Sequence, residues 1–170
     1  MSSSVSPDGS HIYYNSEDSG IFIAYADGEL PTLLTLDGIG PAVSPDGAML
    51  AFTSRGELRV MSADGGRSRT LPQRLVAYDP SWSSDGTRIV FEAWRDHENA
   101  SIYIINVDGS GLQELAASAT SPSWSPDGSR IGGAWMKELP SAQRTPFSER
   151  VSVALRCPGN VRASPSAQLS

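Results

Sequence analysis

Lysine is almost missing: Lys137 is the only one in 170 residues. Cysteine is as scarce, and the single Cys157 excludes an internal disulfide. No run of about 18 apolar residues occurs, which excludes a membrane-spanning helix. Basic charge is in deficit. Thirteen Lys and Arg face nineteen Asp and Glu, for a net charge of −6 and a pI near 4.8. A nucleic-acid footprint is therefore not expected. The opening MSSSVSPDGSHIYY has neither a basic n-region nor an apolar h-region, so a signal peptide is not expected. Location is left open by the residues themselves. The length suffices for one domain with a core.

Charge is unevenly spread. Residues 1–135 hold 17 acids and 8 arginines and no lysine, a net of −9. Residues 136–170 hold Lys137, four arginines, two glutamates and no aspartate, a net of +3. The shift predicts a boundary between a unit at 1–135 and a tail at 136–170.

What is present is a repeat. SPDG occurs at Ser6–Pro7–Asp8–Gly9, Ser44–Pro45–Asp46–Gly47 and Ser125–Pro126–Asp127–Gly128, and SSDG at Ser83–Gly86 around Asp85. The spacings are 38, 39 and 42 residues. After each of the first three, a second turn marker follows: Asp27–Gly28, Asp64–Gly65 and Asp108–Gly109. Proline presets φ for a type I turn, glycine supplies the positive φ that closes the hairpin, and the leading serine can bond to the turn backbone. Between the markers, residues alternate with period 2. Ile89, Phe91 and Ala93 point one way and Val90, Glu92 and Trp94 the other. Ile102 and Ile104 oppose Tyr103, Ile105 and Val107. Apolar residues on both faces mean that both faces are covered. Four antiparallel strands per repeat of about 40 residues predict an all-β fold, a β-propeller of four-stranded blades starting near residues 4, 40, 79 and 121.

Candidate chemistry is thin. No G-x-S-x-G occurs, so no nucleophile elbow is expected and the chain is read as a non-enzyme. His11 opens a strand and reads as structural. Asp96, His97 and Glu98 are adjacent in one loop, and three neighbours cannot converge on one ion. The recurring aspartates invite a calcium reading, but each precedes a turn glycine and the EF-hand pattern is absent. Trp82, Trp94, Trp124 and Trp135 invite an aromatic binding mouth, but Trp82 and Trp124 share one repeat position, which reads as blade packing. GSG at Gly109–Gly111 is a turn with no helix after it. No cofactor and no metal is expected.

The fourth unit fails midway. Gly132 and Gly133 fall where Val90 and Phe91 stand in the third, and should leave a hole in the core and weaken the strand. From residue 136 onward, alternation is lost apart from a short VSVAL stretch, and Ser, Pro, Ala and Arg dominate, which favours disorder. Either the tail is a natural extension or the reading frame is lost near codon 131. Shifting the coding DNA by one or two nucleotides distinguishes them, since a lost frame restores an apolar strand and an xDG turn. An incomplete ring, an open arc, should expose Ile12, Tyr14, Phe22 and Tyr25 and self-associate, giving a mass above that of one chain in light scattering.

PSWSSDGTRIVFEAW…SIYIINVDGSGLQEL, together with VSPDGSHIYYNSEDSGIFIAYADGELPTLL and VSPDGAMLAFTSRGELRVMSADGGRSRTL, resembles the WD-like propeller repeat of the TolB family over about residues 4–131. The resemblance implies a six-bladed ring, an innermost strand before each SPDG, and a protein-binding platform of the bacterial periplasm or cell envelope. By that analogy Val5, Ala42–Val43, Ser81–Trp82 and Ser123–Trp124 lie nearest the axis. The expected role is a non-catalytic protein-interaction scaffold with a protein partner, no nucleic acid and no membrane insertion. The alternatives are a piece of the gating propeller of a prolyl-oligopeptidase-like serine peptidase, or a sensor propeller.

Overall fold

A computed structural model describes residues 2–16, 20–27, 30–94, 100–136 and 150–156. Among them all regular structure is strand, gathered into four antiparallel sheets. The first blade comprises β1 (Ser3–Val5), β2 (His11–Asn15), β3 (Ile21–Tyr25) and β4 (Thr32–Thr35). The second comprises β5 (Ile39–Val43), β6 (Met49–Ser54), β7 (Glu57–Ser62) and β8 (Arg69–Thr70). The third comprises β9 (Val76–Trp82), β10 (Arg88–Trp94), β11 (Ala100–Asn106) and β12 (Gln113–Ala117). The fourth has β13 (Ala119–Trp124), β14 (Arg130–Met136) and β15 (Arg150–Arg156). Each sheet is a meander in chain order, with successive strands paired antiparallel.

Period-2 alternation sends each strand's side chains into two different cores. Ile89, Phe91, Ala93, Tyr103 and Ile105 pack with Ala51, Leu58, Val60 and Leu71 between blades two and three. Val90 and Ile104 turn the other way and meet Trp124 and Ile131 of blade four. Between blades one and two, Tyr13 and Ile21 cover Leu50, Phe52 and Met61. Each fully buried aromatic or aliphatic side chain contributes about 1.5–3 kcal/mol. The blades therefore cohere mainly through packed side chains, while ladder hydrogen bonds hold each blade together internally. The inner strands β1, β5, β9 and β13 approach one another in sequence, with the four blades arranged as an arc.

The strand does not break at Gly132. β14 continues through both glycines to Met136. The hole expected at these glycines is not there, for two separate reasons. Gly133 lies on the face toward blade three, and its missing side chain makes room for Ile102, whose Cδ1 would sit 2.5 Å from an added Cβ. Gly132 lies on the opposite face, away from blade three, where the nearest atom to an added Cβ is the Ser123 carbonyl oxygen at 3.8 Å.

The expected tail is not wholly irregular either. Residues 150–156, the VSVAL stretch, form β15 and pair with β14 from Arg130↔Arg156 to Met136↔Arg150. β-Branched Val151 and Val153 favour that extended backbone. The rest of the tail, including Lys137 and Cys157, lies outside the described residues, as do Gly28, Asp96, His97 and Glu98.

On the first blade, the face turned away from blade two carries Val5, Ile12, Tyr14, Phe22 and Leu33. Ile12 pairs with Val5 and Ala24, and Phe22 with Tyr14 and Leu33. Val5 and Leu33 are 55% and 43% exposed, and the Tyr14 and Phe22 rings stack at 5.6 Å. Tyr25 is exposed but does not belong to this face. It pairs with His11, on the side of Tyr13 and Ile23 that faces blade two.

Candidate functional site

The four serine-led turns are built identically. The serine hydroxyl donates to the aspartate two residues on, at 2.6 Å for Ser6–Asp8, 2.5 Å for Ser44–Asp46, and 2.6 Å for both Ser83–Asp85 and Ser125–Asp127. The same serine oxygen accepts the backbone N–H of the residue five on, His11, Met49, Arg88 or Arg130. The aspartate accepts the N–H two residues further, and the glycine N–H closes the turn on the serine carbonyl. Gly9, Gly47, Gly86 and Gly128 all take φ between 67° and 74°, a region open to glycine. Ser84 replaces proline in the third turn without altering this scheme. The xDG turns follow suit. Gly65 and Gly109 close on Ser62 and Asn106, and Ser62 bonds Asp64.

Successive turns also touch. An added Cβ on Gly47 would lie 3.5 Å from Pro7, on Gly86 3.6 Å from Pro45, and on Gly128 against the Ser84 hydroxyl. They form a collar around one end of the arc.

These bonds acidify the carboxylates. The Ser83 hydroxyl, with the Thr87 N–H and hydroxyl, holds Asp85 down at about 2, against an ordinary 3.8, although partial burial opposes this. The Ser125 and Ser129 bonds hold Asp127 at about 2. Ser6 and Ser10 hold Asp8 well below the usual range, Ser44 and the Ala48 N–H lower Asp46, and Ser110 lowers Asp108. In the unfolded chain, each group binds its proton near the ordinary value. The turns' contribution to stability is therefore complete above about 3.8 and drains away as pH falls toward about 2. Melting temperature should drop steeply across that interval. Asp85→Asn with Asp127→Asn should lower it at neutral pH and flatten the acid slope; an unchanged slope would contradict this origin.

On the inner strands, sequence reading missed a second recurring device. Gly40, Asp79 and Ser121 each precede a proline and take φ of 62°, 47° and 54°. Each lies where the ladder slips between the first two strands of its blade. The signal was available: Pro41, Pro80 and Pro122 all stand three residues before the turn serine. The resulting bulges turn the inner strands at one end.

Two concavities result. One runs along all four inner strands. Its lining includes Ser3, Ser4, Ala42, Ser81 and Trp82, and it reaches Trp124 and Pro126, with a volume of about 520 Å³. Val5, Ala42–Val43, Ser81–Trp82 and Ser123–Trp124 all lie on these strands, and neighbouring blades are stitched there. The Val43 N–H donates to the Ser4 hydroxyl at 3.1 Å, the Trp124 N–H to the Ser81 hydroxyl at 3.4 Å, and the Trp82 indole to the Ala42 carbonyl at 2.8 Å. Arg88 lies over the Trp124 ring, 5.1 Å from its centre. Trp82 and Trp124 are thus packing residues.

Trp94 differs. It lines the second concavity, a cleft of about 430 Å³ at the opposite end of the blade from the collar, with Val76, Tyr78, Asp79 and Glu92. Of Trp135, only the backbone, in β14, is described. The His11 ring packs against Tyr25 at a tilt, 4.8 Å between centres, and bonds the Ser10 hydroxyl. Among the described residues, no three His, Cys, Asp or Glu side chains converge as a metal site.

No family model matches the chain. A TolB homolog of Chlorobium luteolum is 34% identical over 123 residues, which is 65% of this chain and 27% of that protein. The chain thus spans about a quarter of the length of this curated relative. A structure from Agrobacterium tumefaciens assigned as TolB superposes with a TM-score of 0.77 at 20% identity, covering 91% of this chain and 57% of the other. An oligogalacturonate lyase in complex with manganese superposes at 0.67 and 16% identity, covering 91% and 49%. At these identities, the two structures speak to fold alone. Repeat chemistry, blade topology and the TolB relative agree, and the chain is an arc of TolB-like β-propeller blades.

Proposed function

We propose that this chain is a non-catalytic protein-interaction scaffold whose partner seats along the inner-strand groove. The observation that carries the reading is that all four blades contribute to one continuous groove, long enough to seat an extended polypeptide segment. Four of the groove's six serines are committed to structure. Ser83 and Ser125 serve the turns, and Ser4 and Ser81 stitch blades, which leaves these hydroxyls poor nucleophiles. The TolB relative supports a protein-binding role and a periplasmic or cell-envelope setting. The gating propeller of a serine peptidase and the sensor propeller gain no support from the relatives.

A photo-crosslinking amino acid at Ser3 or Ser84, on the groove, should yield a defined protein adduct in an envelope extract. The same probe at Thr70, on the outer strand β8, should not. Ser81→Arg should abolish the Ser84 adduct. Adducts of equal yield at Thr70, or none at either groove position, would overturn the reading.

A further inference from the structure

We propose that the cleft between Tyr78 and Trp94 is a subsite for an arginine side chain of the protein partner; this rests on the scaffold reading above. Val76 and Tyr78 of β9 are the register partners of Trp94 and Glu92 of β10; Glu92 reaches Ser121 of blade four, and Val76 also borders Gly56 of blade two. Asp79, exposed in its positive-φ bulge, borders the same cleft. Each side of the cleft supplies one ring and one carboxylate, Tyr78 with Asp79 from β9 and Trp94 with Glu92 from β10. Glu92 is only 9% exposed. It accepts the Trp94 indole N–H at 3.0 Å on one oxygen and the Ser121 backbone N–H at 3.1 Å on the other. These two bonds fix the carboxylate and leave further lone pairs for a ligand.

Blade two offers the comparison. By the repeat register, Asp37, Ile39, Thr53 and Arg55 stand where Val76, Tyr78, Glu92 and Trp94 stand in blade three. There the position is satisfied internally, by Arg55 Nη2 on Asp37 Oδ2 at 2.7 Å. Blade three replaces that arginine with Trp94 and moves the acid to Glu92 and Asp79. No ion pair to either acid occurs among the described residues. A planar guanidinium can stack on an indole or phenol ring while donating to a carboxylate edge; an ammonium gains less from the stacking. The chain itself places a guanidinium on a ring, with Arg88 over Trp124.

The probe is the tripeptide acetyl-Gly-Arg-Gly-amide, titrated into the ¹⁵N-labelled chain. The Trp94 indole N–H resonance should shift saturably. The citrulline analogue, equal in shape and uncharged, should bind about tenfold or more weaker, and the lysine analogue weaker than arginine. Asp79→Asn, at an exposed site where asparagine tolerates positive φ, should weaken the arginine peptide severalfold, and Glu92→Gln more. Asp79→Asn keeps the test readable if the buried Glu92 variant fails to fold. Equal binding of citrulline or lysine, or unchanged affinity in a folded Asp79→Asn chain, overturns the subsite. The two readings fail separately: if the groove crosslinks form and the arginine peptide does not bind, the scaffold stands and the cleft does not.

Discussion

Phe91→Ala is expected to lower the unfolding free energy by about 3–5 kcal/mol. That is a large share of the 5–15 kcal/mol typical of a whole domain. Phe91 has no exposed surface. Its ring lies 5.9 Å from that of Tyr103. It also belongs to the cluster that joins blade three to Ala51, Leu58 and Val60 of blade two. Neither blade can collapse into the space, because hydrogen-bonded ladders fix the backbone on both sides. Phe22 provides the comparison. It stands in β3 of blade one, but on the face turned away from blade two. Phe22→Ala should therefore cost far less. Urea unfolding of the three proteins checks this. Equal losses at the two positions would mean that inter-blade burial is not what holds the arc together.

Gly133→Ala should cost about 1–3 kcal/mol, although a small residue merely becomes slightly larger. The new Cβ would stand 2.5 Å from Ile102 Cδ1 and 3.2 Å from the Thr120 carbonyl oxygen. Ile102→Val deletes that Cδ1 and alone should cost about 0.5–1.5 kcal/mol. Combined, the two changes should recover about 1 kcal/mol or more relative to their sum. Additive losses in the thermodynamic cycle would show that Ile102 does not fill the glycine's place. The wider point concerns blade four: its join to blade three relies on an isoleucine reaching across, where blades two and three each present a phenylalanine, Phe52 and Phe91, toward the blade before them.

The turns were legible because their chemistry is local. Serine, aspartate and glycine within four residues settle the hydrogen bonds whatever surrounds them. The two-faced strands were legible because period 2 is a property of a single strand. Gly133 was not, since its meaning depends on Ile102, a residue of the neighbouring blade. β15 was obscured by its setting, as VSVAL is short and stands in polar, proline-bearing sequence. The inner-strand bulges had a visible marker in Pro41, Pro80 and Pro122, but proline more often prescribes an extended residue before it than a left-handed one. The cleft at Trp94 emerges only when two blades are laid over one another and Trp94 is seen to replace Arg55. Trp94 shares no repeat position with Trp82 and Trp124, so the repeat alone did not single it out.

The collar of touching turns has a consequence for how such a chain can change over time. Each serine-led turn keeps its four residues, and each meets the one before it, so an insertion there would break a contact in two blades at once. The unequal spacings of 38, 39 and 42 residues must then be absorbed elsewhere. The second and third strands of each blade take up most of it, with five residues each in blade one, six in blade two and seven in blade three, while the link between them is five, two and five residues. One rim is held constant by its neighbours, while the strands and the links of the other rim vary from blade to blade. New blades can be copied in register from the first rim, while new specificities accumulate on the second. Trp94 stands on that second rim.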